Sequence, residues 1–458
     1  MVASPGRVAL LMPYWDFWET SVPWDLRADR EDLLAEACAV VSQVCEVALV
    51  ALLPDPEYSR SIQGALDDVD AIVIASTMAA PSATTITALE QVPGTPVLVW
   101  ALSREDSVDV NFSHTDITTA GSSVGAPMVT SALARAQRRF DVVASSLHDS
   151  HSIHRALRRT VTAGLIGRRP LLVIGNPVAG YTSVVPPGGI RTIFPCVNLQ
   201  AKALAEATVH ADEGEVQRRI SQIRAQFQVD GTVTEASLTK AAEAEVALRD
   251  MVEMTGAVAG ALNCHDEALR QSASFGIAPC LALGRLTTDG VPFTCTGDIL
   301  TAVAMLAVRG LGHPTLYHEI EAIDFGNDEV ILANSGEHDL GLCSGTARLV
   351  PNNWFTHDQL IGPCAQFSIA AGPASLVAFV MSPEPRFVVA EGEFTGRQFP
   401  NTGVPNASFR FRRSSVEEAW SKWALAGVTH HSVATSGYLG ADIRAIAKLI
   451  GSQYVQVA

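Results

Sequence analysis

The chain runs to 458 residues, 48% of them hydrophobic and 17% charged, with a formal net charge of −16. That length is too great for one ordinary core and predicts two or three domains, and the composition is that of a folded globular protein rather than a disordered one. The acidic balance argues against nucleic acid as a partner, because binding phosphate takes clustered Lys and Arg.

The N-terminus, Met1-Val-Ala-Ser-Pro-Gly-Arg7, lacks the layout of a signal peptide, and no apolar run approaches the ~18–20 residues of a membrane-spanning helix. The eight cysteines are scattered without a CxxC pair. They read as reduced, mostly buried thiols rather than a zinc module. A cytoplasmic protein with no membrane partner is the expectation.

Val8 to Met12 reads as a strand and Glu31 to Gln43 as an amphipathic helix. Three further β-rich runs follow, Glu46–Leu53, Ala71–Ala75 and Val97–Leu102, with helix-like spacing at Arg60–Asp68 and Ser82–Gln91 between them. Apolar strands separated by helices predict a doubly wound parallel sheet, whose ligands bind at the carboxyl ends of the strands. The first strand ends in Pro13-Tyr14-Trp15-Asp16-Phe17-Trp18. This aromatic loop suits packing, a neighbouring subunit, or the apolar face of a sugar; Tyr14 and Trp15 are candidate substrate contacts. No GxGxxG follows the strand, which excludes the dinucleotide fingerprint.

A second α/β unit opens at Pro170-Leu-Leu-Val-Ile-Gly175, followed by a Pro- and Gly-rich loop over 176–189. Helices are expected over Glu213–Phe227 and Thr234–Thr255, a strand over Val258–Leu262, and a helix over Cys295–Leu311 with Asp298 near its start as a cap. Asp289, in Asp-Gly-Val-Pro, reads as a turn residue. Past about residue 325 the texture changes. Short β runs at Glu329–Ala333, Ile369–Ala371, Ser375–Met381, Arg386–Ala390 and Ser408–Arg412 predict an antiparallel barrel or sandwich. Helices over Val416–Ala426 and Ala441–Ile450 bracket Thr-His430-His431-Ser. The expected layout is two doubly wound α/β domains, 1–166 and 167–322, followed by a β-rich, barrel-like domain, 323–458.

Three clusters can carry chemistry. Leu316-Tyr-His318-Glu319-Ile-Glu321 puts two carboxylates two residues apart, so an extended backbone aims both at one side, with His318 on the other. Asn334-Ser-Gly-Glu337-His338-Asp339 is a dense polar run after an apolar strand. His430-His431 offers paired imidazoles, one to bind a metal and one to contact substrate or orient its partner. Carboxylate plus imidazole, brought together by folding, suits a divalent metal.

Several segments together resemble the L-fucose isomerase and L-arabinose isomerase superfamily. They are Leu281-Ala-Leu-Gly-Arg285-Leu-Thr-Thr-Asp-Gly-Val-Pro-Phe-Thr-Cys295-Thr296-Gly297-Asp298, then Pro314 to Glu319, then Ala426-Gly-Val-Thr-His430-His431-Ser432. The three-part layout agrees, and the resemblance is strongest from about residue 258 onward. It implies a metal-dependent aldose–ketose isomerase, with Mn2+ or another divalent cation, a small sugar substrate, and a trimer or hexamer. Carried over, Glu319 is a metal ligand and possible base, and His431 is the metal-binding imidazole with His430 beside it at the substrate. The family's Glu-Gly-Asp motif reads Thr296-Gly297-Asp298 here, so one carboxylate that serves as ligand and proton carrier is replaced by a hydroxyl. Asp298, Glu321 or Glu337 then become candidates for that proton, with His338 as an extra ligand, and Thr296 and Arg285 as substrate contacts. The alternatives are an epimerase or carbon–carbon lyase working through the same enediolate, or a sugar-binding protein without turnover.

Overall fold

The computed structural model describes residues 6–176, 194–335, 337–381 and 383–458; most of the Pro- and Gly-rich loop expected over 176–189 lies outside them. The chain divides into two compact units, Ser4–Arg168 with Lys448–Gly451, and Arg169–Ala447 with Ser452–Ala458.

The first unit is built on five parallel strands, β1 (Arg7–Pro13), β2 (Glu46–Leu53), β3 (Ala71–Ser76), β4 (Val97–Ser103) and β5 (Phe140–Ser146), in the order β2-β1-β3-β4-β5. Alternation along the strands separates two cores. Val8, Leu10, Met12, Val73 and Trp100 face α1 (Leu26–Val41) and a long helix at Ser150–Arg168. Ala9, Leu11, Ile72, Ile74 and Val99 face α2 (Ser82–Leu89) and α3 (Ser122–Arg135); the helix at Ser150–Arg168 is α4. Burying such side chains is worth about 1.5–3 kcal/mol each, and helices on both faces explain why the inner strands are unbroken apolar runs.

The second unit opens with a four-stranded parallel sheet, β6 (Leu171–Ile174), β7 (Cys196–Leu199), β9 (Ala259–Leu262) and β10 (Phe293–Thr294), ordered β10-β9-β6-β7; β8 is a two-residue strand, Gln228–Val229. Its helices include α5 (Ala201–Val209), α6 (Glu213–Gln226), α7 (Glu235–Thr255), α8 (Cys280–Thr288) and α9 (Ile299–Gly310). The helix expected over Cys295–Leu311 therefore starts four residues later. Asp298 stops it from starting earlier by capping it, its Oδ1 accepting the Thr301 amide at 3.0 Å.

The β-rich part follows with β11 (Leu316–Asp324), β12 (Glu329–Ala333), β13 (Cys343–Pro351), β14 (Pro363–Ile369), β15 (Gly372–Val380), β16 (Arg386–Phe394), β17 (Asn406–Phe411), β18 (His431–Ser436) and β19 (Gln453–Gln456). The order β15-β18-β11-β12-β17-β16, with β15 also paired to β16, closes six antiparallel strands into a ring, and β19 joins β16 alongside β17. Closure removes the free edges that an open sheet would leave. β13 and β14 pair separately, with β8 at their side. The run expected at Ile369–Ala371 is the end of β14 and the turn into β15. All eight cysteines are free. No helix among the described residues is long and apolar enough to cross a membrane.

Candidate active site

The site is assembled by strand register. β11 and β18 run antiparallel with Glu319 opposite His431, His318 opposite Ser432 and Tyr317 opposite Val433. Directly opposed residues share a face, and the face alternates along each strand. Tyr317, Glu319 and His431 therefore converge on one side. His318 falls on the other, where its buried ring meets the Ser432 hydroxyl, Nε2 to Oγ 3.1 Å.

His431 is the hub. Its Nδ1–H donates to Asp298 Oδ2 at 2.9 Å and lies 2.7 Å from the Tyr317 hydroxyl oxygen, while its Nε2–H donates to Glu319 Oε1 at 3.0 Å. The ring is 2% exposed and Asp298 fully buried. Burial alone would lower the imidazole, but the hydrogen bonds and charges of Asp298 and Glu319 outweigh it and hold His431 at about 9. Burial would likewise raise Glu319, yet the bond to His431 keeps that carboxyl below its ordinary range. His430 stacks on His431 with ring centroids 3.9 Å apart; burial, then the charge on His431, pushes it down. Ligand atoms of Glu319, His430 and His431 lie within 4.8 Å of one another.

This donor set fits a divalent cation. It offers two imidazoles and one carboxylate, borderline-to-hard ligands. Asp298 holds Nδ1–H of His431, the arrangement that leaves Nε2 as the lone-pair donor once its proton is lost. The carboxylate already sits against that Nε2.

Thr296 lies in the turn after β10, two residues before Asp298. Its φ is 56°, unusual for a β-branched residue, and its hydroxyl donates back to the Cys295 carbonyl at 2.8 Å. It also touches the Tyr317 hydroxyl. Glu337 lies beneath this loop, fully buried, against the Cys295 thiol and the Ser335 hydroxyl at 3.1 Å. Burial pushes its carboxyl up, and Oε1 has no hydrogen-bond partner.

Other sequence candidates fall elsewhere. Glu321 is the extra residue of a bulge, since Ile320 pairs Leu332 and Ala322 pairs Ile331. The bulge breaks the alternation that was to place it beside Glu319, and Glu321 is exposed. Its carboxyl is raised by partial burial and by the charge of Glu319. His338 is buried edge-on to Phe367, with centroids 6.4 Å apart, outside the three-residue ligand cluster. Burial lowers it to about 3, and neither ring nitrogen has a side-chain partner. Arg285 is 5% exposed on α8, with Nε on Glu245 Oε2 at 2.6 Å and its other nitrogens on Gln226 and Gln222. Those partners leave it a structural clamp rather than a group aimed at a ligand. Asp289 ends α8 and pairs with Arg249 at 2.5 Å. Tyr14 and Trp15 belong to the first unit. Tyr14 is buried with its hydroxyl on Glu19 at 2.8 Å, and Trp15 stacks on Phe17 at 4.6 Å. Tyr317 is the group that the sequence reading passed over, although its spacing two residues before Glu319 was the available signal.

No known protein-family model matches the chain. A sulfoquinovose isomerase of Priestia megaterium is 23% identical over 334 residues, 68% of this chain and 68% of that protein, and the protein of that name from Priestia aryabhattai matches equally. An L-arabinose isomerase of Mycolicibacterium smegmatis is 26% identical over 274 residues, 56% of this chain and 52% of that enzyme. These matches support a distant relationship to sugar isomerases. They do not single out the fucose isomerase superfamily.

Proposed function

We propose that the protein is an isomerase interconverting an aldose and a ketose, with a divalent cation at Glu319, His430 and His431. The observation that carries this reading is the cross-strand pair Glu319–His431 backed by Asp298, within segments that resemble sugar isomerases. A bound cation supplies Lewis-acid polarisation of the sugar carbonyl and its neighbouring hydroxyl, which makes the adjacent C–H acidic enough to exchange. The chain's own groups do the rest. Asp298 fixes the His431 ring, Tyr317 adds a hydroxyl beside Nδ1, and Glu319 keeps an ionised carboxylate at the edge of the cluster.

The test is proton exchange. The protein is incubated with Mn2+ in heavy water with L-arabinose, sulfoquinovose and a panel of pentoses, hexoses and deoxysugars, and followed by NMR. The reading expects deuterium next to the carbonyl together with a new ketose. No exchange from any sugar, with Mn2+ shown to bind, rejects it. Exchange without ketose favours the second reading, an epimerase or lyase using the same enediolate; Thr296, where a carboxylate was expected, is the observation on its side.

A further inference from the structure

Moving a proton between adjacent sugar carbons needs a group that can accept and return it, and the residues already described are poorly free to do so. Both oxygens of Asp298 are engaged, Oδ1 by the Thr301 amide and Oδ2 by the Thr301 hydroxyl and His431. Glu337 is sealed under the Cys295 loop. Glu319, His430 and His431 form the ligand cluster.

A different segment borders the same place. In the order β10-β9-β6-β7, the chain leaves β6 for β7 on one side and reaches β9 on the other, so the carboxyl ends of β6 and β9 flank a topological switch point, the crevice where parallel sheets bind ligands. Asn263-Cys264-His265 emerges there. Asn263 Nδ2 donates across the crevice to the Asn176 carbonyl, and its Oδ1 accepts the His265 amide at 3.1 Å. Gly175, at φ 86°, makes the approach possible, since a Cβ there would come within 3.1 Å of Asn263 Cβ. On the other flank, the Gly297 amide donates to the Leu262 carbonyl at 3.1 Å. His265 thus stands on a segment tied through Leu262 to the turn that carries Thr296 and Gly297, exposed at the surface of the crevice, and within electrostatic reach of His431.

We propose that His265 is a catalytic residue of this site, the imidazole that carries the proton between the two sugar carbons. The inference rests on the isomerase reading. As a neutral base, one ring nitrogen takes the proton from the hydroxyl-bearing carbon. The C–H electron pair becomes the new carbon–carbon double bond, and the carbonyl π pair moves onto oxygen. The imidazolium then returns the proton to the former carbonyl carbon, drawing on the double-bond pair, as the neighbouring hydroxyl passes its proton to the oxygen of the former carbonyl and becomes the ketone. No oxidant or reductant is needed. Among the described residues, Arg270, Asp358 and His431 act on His265 through their charges; burial, then the charge of Arg270, pushes the imidazole down despite Asp358.

The test uses the full chain with Mn2+ and the sugar that the wild type exchanges. His265→Gln is expected to lose both exchange and turnover by ~10²-fold or more, while Mn2+ and sugar affinity by calorimetry stay within about threefold, and the low-pH limb of kcat disappears. His265→Ala is expected to regain part of the exchange on adding imidazole. Wild-type exchange in His265→Gln, or a loss traced wholly to sugar affinity, overturns the assignment and leaves the isomerase reading standing. Failure of the wild type to exchange any sugar overturns both.

Discussion

Asp298 does two jobs with two oxygens, and substitution can separate them. Oδ1 caps α9 through the Thr301 amide at 3.0 Å, and Oδ2 accepts from His431 at 2.9 Å. Losing the cap costs about 1 kcal/mol. Losing the group that orients a metal-binding imidazole costs about 10–100-fold in affinity, ~1.4–2.7 kcal/mol. Asp298→Ser keeps a good cap, but its shorter side chain cannot reach His431. Asp298→Ala loses both. The serine variant keeps the cap but loses a carboxylate that holds the His431 imidazolium, so it is expected to be less stable than wild type in urea unfolding with EDTA at pH 6.5, and to bind Mn2+ about 10–100-fold more weakly by calorimetry. The alanine variant shows the same affinity loss and unfolds about 1 kcal/mol more easily than the serine variant. If the serine variant binds Mn2+ as tightly as wild type, Asp298 does not orient the ligand and the site has been misread. If both variants are equally destabilised, the fully buried carboxylate matters to the core through something other than the cap.

Arg285→Met leaves Glu245 buried with only Arg249 and Arg219 nearby, and should cost about 2–4 kcal/mol in urea unfolding without changing sugar affinity; an unchanged midpoint with weakened sugar binding would return Arg285 to the substrate. Thr296→Glu adds a carboxylate beside Tyr317, and is expected to raise deuterium exchange about tenfold or more, with no gain counting against Thr296 as the weak point of the site. In metal-free protein, His431 sits at about 9 when folded against ~6.5 unfolded. Its contribution is complete below pH 6.5 and is lost as pH rises through 9, so wild type should lose about 3 kcal/mol relative to His431→Gln over that window. Paired urea titrations at pH 6.5 and 9 measure this, and parallel pH profiles for the two proteins would show that the imidazolium is not held as described.

The parallel sheets were readable because their strands are apolar runs buried on both faces, as at Val8–Met12 and Ala71–Ala75. β5 was missed because it is a half-exposed edge strand, Phe-Asp-Val-Val-Ala-Ser-Ser, without such a run. α4 was missed because its apolar stripe is diluted by Arg and His along nineteen residues. At the site, Glu319 and His431 could be read as chemistry but not as neighbours, since β11 and β18 are brought together by the ring. The sequence placed the His pair only between two helices, whereas His431 begins a strand, and that is what aims it at Glu319. Glu321 shows the limit of period-two reasoning. One bulge changes which side a residue faces, and nothing in Glu-Ile-Glu announces it. The Arg285–Glu245 pair joins residues forty positions apart, beyond any local pattern, so a buried clamp passed for a ligand contact.

Glu319 and His431 are separated by 112 positions along the chain, yet they face each other across two hydrogen-bonded strands of a closed ring. A cation shared between them would be a cross-link that can be undone. Joining residues about a hundred positions apart restricts the unfolded chain by as much as ~4–5 kcal/mol in the chain-entropy picture, and a reversible link scales with the concentration of whatever forms it. The same ion would thus fasten the seam of the ring as well as serve the reaction. Stripping it would loosen amide protection along β11 and β18 first, and the tightness of the barrel would become a readout of metal supply.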